Sequence, residues 1–268
     1  MLLNQASHHL NDDLNKAEKV IEKALHLAPN NPEVNFLCGR IMGRKADTTI
    51  FTALSYANKS LSCLKKAVEL KPEQVRYRLG LLNFYLGAPA IAGGDMQLAQ
   101  QEINTISQLD PIQGAKAEII YYRKTEQKQL LKEKLIKWIK EYPEINEFHF
   151  RLGLMLQDEK EYTRAFEAFK KAANYQDEQT YYLNSLYQIG RNAVFSHLFI
   201  QQGIDALTVF IAQSHGQEDV PSHEWAALRL AQLYNLLGNN EMVNQYTQQA
   251  AKSRDRSLHK ALNKLKRL

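Results

Sequence analysis

Between Phe148 and Asp177 large and small apolar residues recur at the spacing of two helices packed face to face. Leu152, Gly153 and Leu156 mark the first helix, and Ala165, Phe169 and Ala172 the second. Steps of three and four residues gather these positions into one apolar stripe per helix. Gly153 and Ala165 lack bulk where two backbones must approach, while Leu152, Leu156 and Phe169 fill the space beside them. The polar run Gln157 to Tyr162 predicts the turn between the two helices.

Similar stripes run along the rest of the chain. Leu14 to Leu27 reads as one helix, with Ala17, Ile21 and Ala24 on its inner face. Cys38, Gly39 and Met42, then Leu81, Leu82 and Tyr85, then Leu230, Ala231 and Tyr234 carry the small-and-large code again. The segment Leu86 to Leu98 is broken by Pro89 and by Gly93-Gly94, after which Asp95 is placed to cap a new helix. Ser222 is placed to do the same after the polar loop Gln213 to Pro221. The last stretch, Ser257 to Leu268, sets Leu258, Leu262 and Leu265 on one face and basic residues opposite. With only 12 Gly and 7 Pro in 268 residues and no sustained alternation of apolar and polar positions, the reading is all-α.

The stretch 146–179 resembles one tetratricopeptide repeat, a 34-residue helix-turn-helix unit with Leu-Gly at repeat positions 7 and 8, Ala at 20, an aromatic at 24 and Ala at 27. His149 at position 4 and Asp177 at position 32 depart from the pattern. The resemblance implies an α-α superhelix, a right-handed solenoid of about seven helix pairs forming one domain over 1–268. Its repeats fall at 1–31, 32–74, 75–113, 114–145, 146–179, 180–221 and 222–254, closed by a capping helix at 255–268. Repeat two is nine residues too long within Arg44 to Ala57. Ile50, Phe51, Leu54 and Tyr56 there favour lengthened helices over a projecting loop, because such residues seldom decorate free loops. Repeat three carries five extra residues in Leu86 to Leu98. The first helix of repeat one would open at position 4 with Met1, which implies residues removed upstream.

Five strings together resemble a group of uncharacterised tetratricopeptide proteins from Gram-negative bacteria: Gly39-Arg40 to Ala57, Ala88-Pro89 to Gly93-Gly94, Tyr187-Gln188-Ile189-Gly190-Arg191, Pro221-Ser222-His223 and Ala261-Leu262-Asn263-Lys264-Leu265. That resemblance implies a cleaved signal and a periplasmic home, although the chain as it stands, with no signal of its own, reads directly as cytoplasmic. No apolar run is long enough to cross a bilayer.

The net charge of +5 is local. Seven Lys and Arg against Asp255 give the segment Lys252 to Leu268 a charge of +6, leaving −1 for the remainder. No basic face runs along the chain, so nucleic acid is not expected as a partner. Catalytic patterns fail on spacing: His223-Glu224 begins an H-E-x-x-H motif but ends on Ala227, and Gly93-Gly94-Asp95 has neither the Lys nor the preceding strand of a phosphate loop. His8 and His9 point to different helical faces. The chain reads as a non-enzyme without metal or cofactor. Cys38 and Cys63 fall in the two helices of repeat two, and are either buried free thiols or a disulfide, the latter requiring an oxidising compartment.

In tetratricopeptide arrays positions 2, 5, 9 and 12 of each first helix face a concave groove. That register, which also places Glu33 in the groove, assigns Phe36 and Arg40 in repeat two and Arg76, Leu79 and Asn83 in repeat three. It adds Glu118 and Tyr122 in repeat four and Phe150 and Arg151 in repeat five. The mixture of aromatic, guanidinium and amide groups suits a peptide or a partner protein. The chain is therefore expected to be a protein-protein interaction scaffold. Two other readings stay open: self-association into a homo-oligomer, with Leu258, Leu262 and Leu265 docking on a neighbour, and contact with an anionic surface through the basic C-terminal helix.

Overall fold

Six helix starts in this chain are fixed by short polar side chains that accept the otherwise unpaired first amides. Asp13 Oδ1 accepts from the amides of Asn15 and Lys16 at 3.0 and 3.1 Å. Asn31 serves Glu33 and Val34 in the same way, and Asp95 serves Gln97 and Leu98 at 2.8 and 3.0 Å. Asp110, Ser222 and Asn239 cap three further helices. Each such contact stabilises its helix by about 1 kcal/mol.

The computed structural model describes residues 2–49, 51–175 and 178–265. Among them lie fifteen α-helices and no strand. The helices are α1 (Leu2–Asp12), α2 (Leu14–Leu27), α3 (Pro32–Thr48), α4 (Ala53–Leu70), α5 (Val75–Gly87), α6 (Met96–Leu109), α7 (Pro111–Lys124) and α8 (Lys128–Glu141). There follow α9 (Asn146–Asp158), α10 (Tyr162–Ala172), α11 (Gln179–Ser196), α12 (Ile200–Gln213), α13 (His223–Leu236), α14 (Asn240–Ala250) and α15 (Arg256–Leu265). A single 3₁₀ turn, Ala90–Ala92, precedes α6. The chain gathers into two compact units, Met1–Leu131 and Lys132–Leu268.

In the first unit Ala17, Ile21 and Ala24 of α2 pack with Val34, Cys38 and Ile41 of α3, and a second cluster joins Phe36, Leu64, Leu82, Ile103 and Ile106. The sulfurs of Cys38 on α3 and Cys63 on α4 are bonded, with their Cα atoms 5.9 Å apart. Beyond this staple α2, α3 and α4 meet in a polar knot. Buried Lys45 reaches Glu18 Oε2 at 2.9 Å and Asn15 Oδ1 at 2.6 Å, and the Tyr56 hydroxyl donates to the same Glu18 oxygen at 3.3 Å. Burial alone would raise the Glu18 pKa, but the hydrogen bonds from Lys45 and Tyr56 outweigh it and hold the carboxyl below its usual range.

The expected lengthening of repeat two is present: α3 has 17 residues and α4 has 18. Of the residues taken to favour helix, Phe51 instead lies in the bend before α4 and is wholly exposed at 101%, and Leu54, inside α4, is exposed at 45%; Ile50 lies outside the described residues.

The second unit holds one cluster from Phe150 to Leu233 and another in which Leu258, Leu262 and Leu265 of α15 lie against Ala227, Leu228 and Ala231 of α13. Those three leucines are buried within their own chain, contributing roughly 1.5–3 kcal/mol each. They are not presented to a neighbour as the self-association reading supposed. Of the basic segment, Lys266, Arg267 and Leu268 lie outside the described residues, as does Asp177 at the end of repeat five. His149, the other departure from the repeat pattern, is buried: its Nε2–H donates to the Pro143 carbonyl at 2.7 Å and its ring stacks on Tyr175.

Three outcomes are expected. Gly153→Ala would put a methyl group 2.6 Å from the Phe169 ring; overpacking of about 1–3 kcal/mol exceeds the 0.5–1 kcal/mol gained in helix propensity, so urea denaturation will show a net loss. Reducing the Cys38–Cys63 bond, which closes a separation of 25 residues, will cost about 3 kcal/mol in the same assay. Burial holds the His149 imidazole below its ordinary pKa of 6.5, against the favourable Pro143 carbonyl. A depressed folded-state pKa leaves its contribution intact above 6.5 and removes it as the pH falls through the folded value. The melting temperature will therefore drop on acidification below that point, with a smaller slope in His149→Gln.

Candidate functional site

Small residues on three helices create a large concavity in the first unit. Gly39 lets α4 approach α3, since a Cβ there would stand 2.5 Å from Leu64 Cγ, and Ser60 seals the contact by donating to the Gly39 carbonyl at 2.7 Å. Gly80 leaves room on α5 for the Phe36 ring, whose Cε2 would lie 2.7 Å from a Cβ. Phe36 is thereby held against Tyr77, with ring centroids 5.0 Å apart, and the Arg76 guanidinium lies 4.8 Å from its ring centre. Arg76 also pairs with Glu33.

The resulting cavity between α3, α4 and α5 has a volume of about 900 Å³. Five of the nine groove residues expected from the sequence line it together: Phe36, Arg40, Arg76, Leu79 and Asn83. Both insertions line it too. Ala46, Asp47 and Leu54 come from the lengthened ends of α3 and α4, and Pro89, Ile91 and Ala92 from the segment after α5. That segment is shaped by Gly93, at φ +93°, and by Gly94, where a Cβ would lie 1.8 Å from the Ala88 carbonyl oxygen. The Asp95 amide then donates to Tyr85 at 3.0 Å, fixing the turn onto α5.

Apolar side chains make most of the wall, with Leu54 and Ile91 exposed at its rim. Arg40, Asp47 and Asn83 are exposed in the same cavity and make no side-chain hydrogen bond or ion pair among the described residues. Arg40 and Asp47 are seven residues apart, so they share one face of α3 about two turns from each other. Gly43 falls at position 12 of the register, whereas Asp47 escaped it because the register stops there in an ordinary first helix. Continuing the three- and four-residue steps from Arg40 and Gly43 into the insertion would have reached Asp47.

The remaining expected residues lie elsewhere. On α7 the Tyr122 hydroxyl donates to Glu118 Oε2 at 3.0 Å, and burial, aided by that carboxylate, pushes its pKa up to about 12. In the second unit Phe150 is buried against Phe169 and Tyr181. Arg151 is engaged with Glu147 at 2.6 Å and with the Tyr181 hydroxyl at 3.0 Å. His223 meets Ser214 Oγ at 3.0 Å, and Ala227, at the place of a second zinc ligand, is a core residue. Among the described residues no group of three His, Cys, Asp or Glu side chains is arranged to hold a metal ion, and no helix is long and apolar enough to cross a membrane.

No family model matches the chain, and no curated protein matches it. Solved structures do. One is that of pilF from Pseudomonas aeruginosa, 14% identical, covering 81% of this chain and 92% of the other at a TM-score of 0.52. Another is that of the APC/C hetero-tetramer Cut9-Hcn1, 13% identical at a TM-score of 0.60, where the match covers 97% of this chain and 48% of the other, so this chain spans about half its length. At these identities the likeness concerns the fold. The succession of helices and its likeness in fold to these structures make this a protein of the tetratricopeptide-repeat fold.

Proposed function

We propose that the protein is a non-enzymatic interaction scaffold that holds a peptide segment of a partner protein in the cavity between α3, α4 and α5. The observation that carries this reading is the combination, in one cavity of about 900 Å³, of apolar walls with three uncommitted polar groups, Arg40, Asp47 and Asn83. Cavities of roughly 300–1,000 Å³ with a few placed polar groups are the usual form of a binding site. Apolar side chains of the segment fill the space beside Leu79, Phe84 and Leu54. An acidic group faces Arg40 and a basic one faces Asp47, giving the segment a direction. The arrangement of the chain as seven repeats with a terminal cap, 1–268, belongs to the same proposal. So does an oxidising compartment such as the periplasm, which the Cys38–Cys63 bond supports.

Selection of a phage-displayed peptide library on the protein, with counter-selection on Asn83→Trp, tests the reading. Asn83 is exposed, so the indole fills the cavity without disturbing the core. Enriched peptides are expected to combine two or three large apolar residues with an acid, and to lose binding to Asn83→Trp. Arg40→Glu will weaken them about tenfold, near 1.4 kcal/mol, in fluorescence anisotropy. Peptides that bind both proteins equally would sink the assignment, as would a library that yields none.

A further inference from the structure

The second unit contains a pair of arginines whose surroundings are built for a charge that the described residues do not supply. Arg191 on α11 and Arg229 on α13 both lie against the ring of Phe195, with guanidinium carbons 4.8 and 5.7 Å from its centre, and Arg229 lies 5.5 Å from the centre of Trp225. Two like charges are thus brought to one aromatic side chain. Among the described residues their hydrogen bonds go to neutral amide oxygens: Arg191 donates to Gln157 Oε1 at 2.8 Å and Gln188 Oε1 at 3.2 Å, and Arg229 to Gln232 Oε1 at 2.9 Å. Other part-buried arginines of the chain are treated differently. Arg78 meets Glu102 at 2.8 Å, and Arg151 meets Glu147 at 2.6 Å.

Among the described residues no carboxylate neutralises the pair. Asp158 acts on Arg191 only at a distance, and Asp255 accepts from Trp225 Nε1 at 2.9 Å; neither forms an ion pair with either arginine. The Nε–H of Arg229 is shut from solvent and has no acceptor. Burial, and then the charge of Arg229, lowers the Arg191 pKa. Desolvating two guanidiniums together without a counter-charge is unfavourable, so this arrangement stores a standing attraction for an anion. Phe195 is 41% exposed, which leaves the shared ring open to solvent.

We infer that the surface where α11 meets α13 is an oxyanion site, in which Arg191 and Arg229 clasp a carboxylate or phosphate group while Phe195 and Trp225 receive the apolar part of the same ligand. Guanidinium groups suit such oxygens because their donors form a planar fork. The site stands on its own unit and does not rest on the peptide reading of the first.

Two probes distinguish the sources of the oxyanion: acetyl-pentaglutamate amide and inorganic phosphate, each titrated at low ionic strength while the Arg191 and Arg229 Nε–Hε resonances are followed by NMR. Saturable shifts with either probe are expected, and the tighter one identifies the source. Arg191→Gln and Arg229→Gln should each weaken binding at least tenfold, and Arg191→Lys, which keeps the charge and loses the fork, should also weaken it. A melting-temperature readout separates this role from a structural one. Without ligand, Arg229→Gln should match or exceed the wild type in stability because repulsion is relieved, and it should lose the rise that the probe produces. Absence of saturable shifts with both probes would overturn the inference, and so would Arg→Gln variants that bind as well as the wild type or melt lower without ligand.

Discussion

Close approach of neighbouring helix backbones at residues without bulk is the constraint on which this structure depends. At Gly39, Gly153 and Gly190 an added Cβ would stand between 2.3 and 2.6 Å from Leu64, Phe169 and Leu207 of the facing helix. Such contacts let the large side chain of one helix press directly onto the backbone of the other, at the density of a protein interior. They also decide where space is left over. Because Phe36 can lie across Gly80, α3 and α5 expose a smooth strip of small residues beside it, and the lengthened ends of α3 and α4 extend that strip into a cavity.

Charge is used in two ways along the chain. Where it ties helices together it is neutralised locally, as in the knot of Lys45, Glu18, Asn15 and Tyr56, in which no member keeps an unmet demand. Lys132 of α8 likewise meets Glu161 at 3.6 Å and pairs with Glu159. At the cavity of the first unit and at the arginine pair of the second, charge is left without a partner. Unneutralised groups in concave or part-buried places add little to folding and are costly to desolvate, so their retention is informative about binding.

Some helix starts were legible because they are written locally. Asp95 and Ser222 cap by contacts to residues two or three positions on, and the spacing of Ala17, Ile21 and Ala24 depends only on the helical period. Phe36, Arg40, Arg76, Leu79 and Asn83 line one cavity because α3 and α5 are neighbouring helices whose equivalent positions face the same space. The groove register did not bring Glu118, Tyr122, Phe150 and Arg151 to that cavity. Phe150 shows why: a fixed register cannot say whether an aromatic ring will be spent on packing, and here Phe169 and Tyr181 take it up.

By itself, then, the sequence determined the all-α class, the pairing of helices, the caps and the close-approach glycines, since all of these follow from periods and side-chain sizes within a few residues. Tertiary structure decided what depends on separate segments meeting. It joined Cys38 to Cys63, left Phe51 in solvent, folded the three leucines of α15 onto α13, and set both insertions around one cavity. It also brought Arg191 and Arg229, 38 positions apart in the chain, to the same phenyl ring. Helical periodicity fixes which face a residue occupies; only packing between helices fixes which residues from other helices share that face and whether their charges are answered.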